Sequence, residues 1–427
     1  MADWFSRTFG FIEMRGSLDE YKKTKEMFTY DSATGILVSN AFPDRRFVAG
    51  LFERPSLEEL RARVDLDAAR STLGEQRLSV EEDIGDVSVL HGLEENRKAL
   101  FQAASQFNTL EHLSESGCPE DGITKYCCDH TQGPACATAC APGTVVRNYF
   151  AFDDGNGQTR ERQVENLGDI AKFLRNDEEG YFTVKAGYTL ASEDNLKRLQ
   201  DLLLSDEKLQ EGIMRRLRIG IQADTEVVTS EFGYRPHPGP PGEQIVSQAY
   251  CSAVSVSYSG CRKSAWEIFA RLILDAAYEA TLFAAVENAV RYPGHPGARK
   301  VFLTALGGGV FGNEMCWIAD SIKKAVDKFQ DIGLEVHLVS YGRPTPEFAS
   351  LITKEKTVMV AEERSCELQR TTAREKPKES SPDIYDVKSD AEVNSLFADG
   401  VISFEEMRRA KRELKTGVDA VQVSKKR

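Results

Sequence analysis

The sequence predicts an α/β protein, because strands and helices alternate through its C-terminal half. Residues 300–306 and 334–340 are two apolar stretches that we expect to be strands, with a helix between them at about 314–329. A long apolar helix is expected before them, at 266–291, and its apolar spacing indicates a core element. A strand, a helix and a strand with connections of this length form parallel neighbours with a right-handed crossover.

Three more strands are expected earlier in the chain, at 99–104, 218–222 and 249–256. The third is continuous enough in small and apolar residues to lie at the centre of a sheet. The charged residues 151–212 carry further hairpin and helix signals, and we interpret them as an insertion. The main domain is predicted to span residues 81–350.

Residues 1–80 are interpreted as a structured N-terminal extension. A hairpin is predicted at 27–30 and 35–39, with the turn between them. Ser56 and Glu59 have the spacing of a capping box, which predicts the start of a helix.

The C-terminal end is predicted to be separate from the main domain. Residues 354–390 are polar and rich in Lys, Glu, Ser and Pro, as in a flexible linker. A small helical hairpin is expected at 391–416. It partly resembles a calcium loop, but Ser395 and Phe397 stand where acidic ligands are required, so an interaction hairpin is the better interpretation.

Composition excludes some classes of function. The net charge of −13 over 427 residues argues against a nucleic-acid-binding protein, although backbone amides can still hold a small anionic ligand. There is no leader-like N-terminus and no run of about 20 apolar residues, so we expect a soluble, cytoplasmic protein without a membrane partner. The nine cysteines are an odd number, which favours reduced thiols.

A glycine-rich turn after the strand at 300–306 is the strongest functional signal. Its residues are Gly307, Gly308, Gly309, Val310, Phe311, Gly312 and Asn313. Glycines let the backbone approach a ligand and orient several amides the same way, and the following helix adds its dipole. This pattern is typical of a diphosphate site, with a simple tight connection as the alternative. No Gly-Lys-Ser/Thr follows, so it is not a Walker loop.

A second signal lies at residues 102–108, where a strand ends in small and then polar residues. Asn108 can bind a ribose hydroxyl as donor and acceptor, and the adjacent Phe107 can pack on a sugar or base. Gln132 and Gly133 follow a polar loop and precede Pro134, which suits the first turn of a helix. Each feature taken alone is also compatible with a satisfied turn.

Together these motifs resemble the macrodomain and poly(ADP-ribose) glycohydrolase superfamily, in particular macrodomain-type ADP-ribosylhydrolases known from a bacterial effector and its eukaryotic relatives. The resemblance covers about residues 20–345. It rests on the glycine turn, residues 102–108, Asp129 to Ala137, Arg147 to Phe150, Asp224 to Val227, and Trp266 with Phe269 to Arg271. It implies a macrodomain-like mixed sheet flanked by helices, and removal of ADP-ribose from an arginine side chain of a protein, with ubiquitin as the suggested substrate.

The resemblance also implies residue roles. The glycine turn would hold the diphosphate, Asn108 the distal ribose, and Phe107 and Phe311 would line the pocket. Hydrolysis of an N-glycosidic bond needs a carboxylate and a proton source. The candidate acids are Asp129, Asp224, Glu226, Glu314 and Asp320.

Several alternatives stay open from the sequence. Glu314 can be a plain helix N-terminal acid, and Asp129 and Asp224 can be turn formers. The pocket can belong to a reader that binds ADP-ribose without chemistry, or to an inert scaffold. Zinc and other cofactors are not expected, because the candidate ligands lack paired knuckle spacing. These candidate ligands are Cys118, Cys127, Cys128, His130, Cys136 and Cys140.

Overall fold

A computed structural model describes residues 3–74, 76–353, 357–359, 384–387 and 421–424. The chain divides into two units, Met1–Glu362 and Glu363–Arg427. The described helices are α1 (Trp4–Phe9), α2 (Leu18–Glu26), α3 (Leu57–Arg63), α4 (Leu66–Leu73), α5 (Val87–Gly92), α6 (Gln132–Ala139), α7 (Ala141–Tyr149), α8 (Gly168–Phe173), α9 (Asn176–Glu179), α10 (Glu193–Ser205), α11 (Glu207–Arg216), α12 (Lys263–Arg291) and α13 (Met315–Lys328).

The described strands are β1 (Phe28–Asp31), β2 (Ile36–Ser39), β3 (Phe42–Val48), β4 (Leu51–Glu53), β5 (Ser79–Ile84), β6 (Leu100–Ala104), β7 (Thr183–Lys185), β8 (Tyr188–Leu190), β9 (Gly220–Glu226), β10 (Thr229–Ser230), β11 (Arg235–Pro236), β12 (Ile245–Cys251), β13 (Lys300–Thr304), β14 (Glu335–Ser340), β15 (Thr357–Met359), β16 (Ile384–Val387) and β17 (Val421–Ser424).

The main sheet of the first unit has eight strands in the order β15–β5–β14–β13–β6–β12–β9–β4. The six strands from β15 to β12 are parallel, whereas β9 runs antiparallel to both β12 and β4. The predicted α/β class, with a mixed sheet flanked by helices, is therefore confirmed. Parallel strands need crossover connections, and α13 provides the one between β13 and β14.

Helix α12 lies at the centre of the largest apolar core. Its side chains Trp266, Phe269 and Ile273 are buried, together with residues from α10, α13 and the sheet. Its interior position agrees with the apolar spacing of the sequence. Among the helices that the structure describes, none combines the length and apolarity needed to cross a bilayer.

Two strands begin or end at residues other than those that the sequence predicted. Strand β12 ends at Cys251, whereas the sequence predicted a strand up to residue 256. The chain leaves the sheet there because the buried Ser255 exchanges hydrogen bonds with Thr189, including amide to Oγ1 at 2.8 Å. Strand β9 begins at Gly220 and continues to Glu226, later than predicted.

The N-terminal 80 residues supply one edge of the main sheet through β4, which pairs with β9. The predicted hairpin is present as β1 and β2, and Ser56 and Glu59 form the predicted capping box at α3. Helices α3 and α4 pack on α12. The boundary at residue 80 stays a prediction, although the segment shares the sheet and the core of the main domain.

Strands β15 and β16 fall within the segment predicted to be a flexible linker, where no strand was expected. Strand β15 pairs in parallel with β5, and β16 pairs antiparallel with β17. Both are only three or four residues long, too short for the sequence to show a clear strand pattern. The predicted hairpin at 391–416 lies outside the described residues.

Candidate functional site

The glycine turn opens onto a cleft at the carboxyl ends of β6, β12 and β13. In parallel sheets this edge is where ligands bind, because loops and helix N-termini converge there. The cleft is lined by Ala104, Ser105, Gln106, Glu111, His112, Asp129, Thr131, Gln132, Gly133, Tyr188, Ala253, Tyr258, Thr304, Ala305, Leu306, Gly307, Gly309, Val310 and Phe311. The structure thus brings the glycine turn together with Asp129, Gln132 and Gly133 in one cleft.

The backbone of the glycine turn is arranged to receive an anion. Within the described part of the chain, the amides of Gly309, Val310 and Phe311 donate to no protein acceptor. The N-terminus of α13 begins shortly afterwards, at Met315, and adds positive potential. Gly309 has open space around its Cβ position, so a ligand can approach its backbone closely.

Other residues of the turn hold its shape. Gly307 has φ +72°, and a Cβ there would lie 2.5 Å from the Cβ of Ala253. Gly312 has φ +75°, and its Cβ would lie 1.9 Å from Ser257 Oγ. Gly308 packs against α13. Backbone conformation and packing require glycine at these positions, whether or not a ligand binds.

Asn313 was predicted to bind the ligand but instead closes the turn. Its Nδ2 donates to the Val254 carbonyl at 2.9 Å, and its amide donates to the Gly307 carbonyl at 3.0 Å. The side chain is buried. It shapes the cradle without lining the cleft.

Glu111, which the sequence analysis did not identify, is the acid placed most deeply in the cleft. It follows a turn in which the Gln106 amide donates to the Leu110 carbonyl at 3.1 Å. The Gln106 side chain accepts from the amide of His112 at 2.7 Å. The amide of Glu111 donates to the Tyr126 hydroxyl at 3.1 Å. These three hydrogen bonds therefore fix the backbone that carries this carboxyl group.

Glu111 is 4% exposed, and its Oε1 has no hydrogen-bond partner within the described residues. Burial, together with the negative charge of Asp129, raises the pKa of Glu111 well above its usual value, and Arg147 opposes the shift. Glu111 therefore holds a proton at a pH at which an ordinary glutamate is ionised.

Arg147 lies behind this acid and is fully buried. Its Nε donates to the Thr109 carbonyl at 3.3 Å, and its Nη2 donates to Thr144 Oγ1 at 2.8 Å. The guanidinium carbon lies 3.5 Å from the centroid of the Tyr250 ring. Arg147 Nη1 has no partner among the described residues. The arginine thus anchors the turn before Glu111 and supplies positive charge near it.

Gln132 and Gly133 position α6 against the end of β6. Gln132 accepts from the Ala104 amide at 2.8 Å and donates to the Gln102 carbonyl at 2.8 Å, so both ends of its amide are occupied. A Cβ on Gly133 would lie 1.8 Å from the Ala104 oxygen and 2.5 Å from Glu111 Oε2. Glycine is required there, because any side chain would displace the acid.

Aromatic side chains form another part of the cleft wall. The ring centroids of Tyr188 and Phe311 are 5.4 Å apart, and those of Tyr188 and Tyr258 are 4.9 Å apart. The Tyr188 hydroxyl donates to the His112 carbonyl at 2.7 Å. Burial lowers the pKa of His112 to about 4, so its ring is neutral at physiological pH. These rings offer a surface for a base or a sugar.

Two of the predicted catalytic acids belong to other parts of the molecule. Asp224 lies on β9 and forms ion pairs with Lys98 at 2.9 Å and Arg291 at 3.2 Å. Glu226 is buried, pairs with Arg45 and accepts from the Gly242 amide at 2.9 Å. Both lie on β9, which joins the sheet through β12 but lines no part of the cleft. Their carboxylates are occupied by cations and amides of the fold.

Glu314 and Asp320 also lie away from the cleft. Glu314 caps α13 and pairs with Lys263 at 2.6 Å. Asp320 is exposed and pairs with Arg271 at 2.9 Å. A helix turns its successive residues to different faces, so closeness in sequence to the glycine turn did not bring these side chains to it. Asp129 is the predicted acid that the structure places in the cleft.

Phe107 and Asn108 were predicted to contact the ligand, but both point into the protein. Phe107 belongs to the main apolar core. Asn108 is fully buried, donates to Gln163 Oε1 at 2.9 Å and accepts from the Leu110 amide at 3.1 Å. The chain turns immediately after β6, so Phe107 and Asn108 stabilise the turn, and Glu111 lines the cleft instead of them.

A sequence signal for Glu111 existed but was weak. The acid comes seven residues after Ala104, at the carboxyl end of a buried strand, where catalytic groups collect. Tyr188 and Tyr258 had no such signal, because they come from the insertion and from the segment after β12. Only the tertiary fold joins them to the glycine turn.

Comparisons with known proteins give little beyond this geometry. No family model matches the chain, and no curated protein matches it. Solved structures that overlap with it include poly(ADP-ribose) glycohydrolase from Deinococcus radiodurans in complex with ADP-ribose, at 11% identity and TM-score 0.40, covering 70% of this chain and 94% of that one. The enzyme of the same name from Thermomonospora curvata overlaps at 15% identity and TM-score 0.35, covering 77% of this chain and 92% of that one. Overlap at this level establishes neither a family nor a function for this chain.

Proposed function

We propose that this protein binds ADP-ribose in the cleft and hydrolyses the bond between ADP-ribose and a protein side chain. The observation that carries the proposal is the position of Glu111 in the cleft: among the described residues, one oxygen of this buried acid has no hydrogen-bond partner, and three amides of the glycine turn in the same cleft have no acceptor. One part of the cleft suits a diphosphate and another suits proton transfer.

In this proposal the amides of Gly309, Val310 and Phe311 hold the diphosphate, with help from the N-terminus of α13. The rings of Tyr188 and Tyr258 contact the adenosine or ribose part. Binding therefore depends on the backbone and on aromatic surface. This explains how a chain with a net charge of −13 can bind an anion.

The acids of the cleft divide the chemistry between them. Cleavage of a glycosidic bond passes through an oxocarbenium-like state, in which the leaving group takes a proton and water adds to the anomeric carbon. Glu111, whose raised pKa keeps it protonated, donates the proton to the leaving group. Asp129, whose charge contributes to that shift, stabilises the positive sugar or orients the water.

The side chain that carries ADP-ribose is proposed to be arginine, and ubiquitin is the first protein to test, on the strength of the sequence resemblance. Arginine-linked ADP-ribose would leave as a guanidine, which requires protonation in the way Glu111 provides. Aspartate- or glutamate-linked ADP-ribose has a carboxylate leaving group, which needs less help from an acid.

The test is to incubate the protein with arginine-ADP-ribosylated ubiquitin and measure released ADP-ribose. Release at a rate above that of the Glu111→Gln variant supports the proposal. Tight binding of free ADP-ribose without turnover on arginine-, serine- or glutamate-linked substrates would instead identify a reader. Absence of binding at millimolar ADP-ribose would refute both the enzyme and the reader.

A further inference from the structure

The adjacent cysteines Cys127 and Cys128 form a pair that the proposed reaction does not use. We call them the 127–128 dithiol. Their Sγ atoms are 4.0 Å apart, Cys128 is exposed, and neither forms a disulfide. The described residues contain no group of three or more His, Cys, Asp or Glu side chains placed to hold a metal ion. The chemistry of the pair is that of two thiols.

The position of the dithiol connects it to both acids of the cleft. The pair lies in the short 3-10 turn Thr124–Cys128, between Tyr126 and Asp129. Tyr126 accepts the hydrogen bond from the Glu111 amide, and Asp129 lines the cleft. The Asp129 amide donates to the Tyr126 carbonyl at 3.1 Å, so this hydrogen bond spans the two cysteines. A change in the dithiol therefore acts on the support of Glu111 and on Asp129 together.

Cys128 also has the surroundings of a reactive thiol. A hydrogen bond from Cys127, with Arg15 and Lys125 nearby, lowers the pKa of Cys128 to about 6 against the cost of partial burial. The thiolate is the reactive form of cysteine, and exposed thiolates beside a second thiol are the ones that oxidise reversibly.

We propose that the 127–128 dithiol is a peroxide-sensitive modification site that closes to a disulfide and switches off the cleft. The Cys128 thiolate attacks hydrogen peroxide, the O–O bond breaks, and a sulfenic acid and a hydroxide ion form; the hydroxide takes up a proton from solvent to give the first water. The Cys127 sulfur then attacks the Cys128 sulfur, the S–O bond breaks, and a second water leaves with the thiol proton. The pair loses two electrons, and these reduce the peroxide.

Closure changes the turn because neighbouring residues are poorly placed for a disulfide. The Sγ atoms must approach from 4.0 Å to about 2.05 Å. Adjacent Cα atoms are about 3.8 Å apart across a trans peptide, shorter than the usual separation of about 4.4–6.8 Å in disulfides. The backbone from Tyr126 to Asp129 must therefore adjust. The loss of turnover rests on the proposed function, whereas formation of the disulfide does not.

The first experiment maps the bond. The intact protein is treated with hydrogen peroxide and digested, and fragment spectra are expected to show a Cys127–Cys128 link that dithiothreitol removes. In Cys127→Ser the sulfenic acid at Cys128 should be trapped by dimedone, and in Cys128→Ser no link and no label should form. Cys316, which is exposed and has no thiol partner among the described cysteines, serves as the internal control. An unlinked pair, or equal labelling of Cys316 and Cys128, would overturn the site.

The second experiment measures the consequence. Oxidised wild-type protein is expected to lose turnover about 10²-fold, as a displacement of about 1 Å in a catalytic site can cause. Dithiothreitol should restore it, and Cys128→Ser should be insensitive to peroxide. A mapped disulfide with full turnover would overturn the switch and leave the proposed function intact. If the reduced protein hydrolyses no substrate, the proposed function fails while the mapped bond still stands.

Discussion

Two buried glutamates, Glu13 and Glu111, have similar burial but different hydrogen bonding, and they lie in different regions of the molecule. Each is 4% exposed, and burial raises the pKa of both. Glu13 accepts four hydrogen bonds, from the Ile123 and Thr124 amides at 2.8 and 2.7 Å, from Thr124 Oγ1 at 2.5 Å and from the Tyr149 hydroxyl at 2.7 Å. One Glu111 oxygen has no hydrogen-bond partner in the part of the chain that the structure describes, and Glu111 faces the cleft.

The difference lies in hydrogen bonding, since burial alone does not separate the two residues. Fully satisfied polar groups stabilise a fold, and a buried polar group left without a partner costs free energy. Buried polar groups without a hydrogen-bond partner are found most often at functional sites. Glu13 therefore fastens the N-terminal segment to the turn at 123–124, and Glu111 is available for a ligand.

The largest expected effect is on turnover, in Glu111→Gln. The amide cannot supply the proton, so we expect hydrolysis to fall about 10²- to 10⁴-fold while ADP-ribose affinity changes little. Release of ADP-ribose measures the first quantity and calorimetry the second. Full activity of the Glu111→Gln variant would contradict the proposed catalytic role of Glu111, and with it the contrast with Glu13.

The matched substitution Glu13→Gln should affect stability instead. Four donors would face an amide that offers one acceptor oxygen, so we expect the free energy of unfolding to fall by about 1–3 kcal/mol. Urea denaturation measures this change. Turnover per folded molecule should be unchanged, and a specific loss of turnover would show that Glu13 reaches the cleft.

Gly309→Ala tests the amide cradle against the rest of the fold. The added methyl group meets no protein atom within 4 Å, so stability should be retained, but it would occupy the space of the ligand. We expect ADP-ribose affinity to fall about tenfold, or ~1.4 kcal/mol. Gly168→Ala, whose Cβ makes only ordinary contacts on α8, is the control and should bind like the wild type.

The smallest effect concerns pH. Loss of the Glu111 proton should reduce kcat/KM as the pH rises through its raised pKa, and Glu111→Gln should lack this alkaline limb. Between the usual pKa and the raised one, the native state binds more protons than the unfolded state, so stability falls as the pH rises. Glu13→Gln should make the free energy of unfolding depend less on pH in this range, and it should leave the alkaline fall of kcat/KM unchanged.

The sequence predicted the glycine turn and Asp129 as parts of one site, and both line the same cleft, whereas the other candidate acids lie elsewhere. Glu314 and Asp320 are close to the turn in sequence, yet helix geometry directs them to ion pairs on the surface. Phe107 and Asn108 end a strand that was predicted well, but the chain reverses after it. The direction of a side chain at the end of a strand depends on the turn that follows. The residue types in this segment did not predict the geometry of that turn.

What the sequence determined by itself was local: the alternation of strands and helices, the capping box at Ser56, and the glycine turn between β13 and α13. These follow from the apolar pattern, from capping chemistry and from the backbone freedom of glycine, which act over a few residues. The position of Glu111 in the cleft, and the environment that raises its pKa, were decided by the tertiary structure. Burial, missing partners and the nearby charges of Asp129 and Arg147 come from segments distant in sequence, and they exist only after the chain has folded.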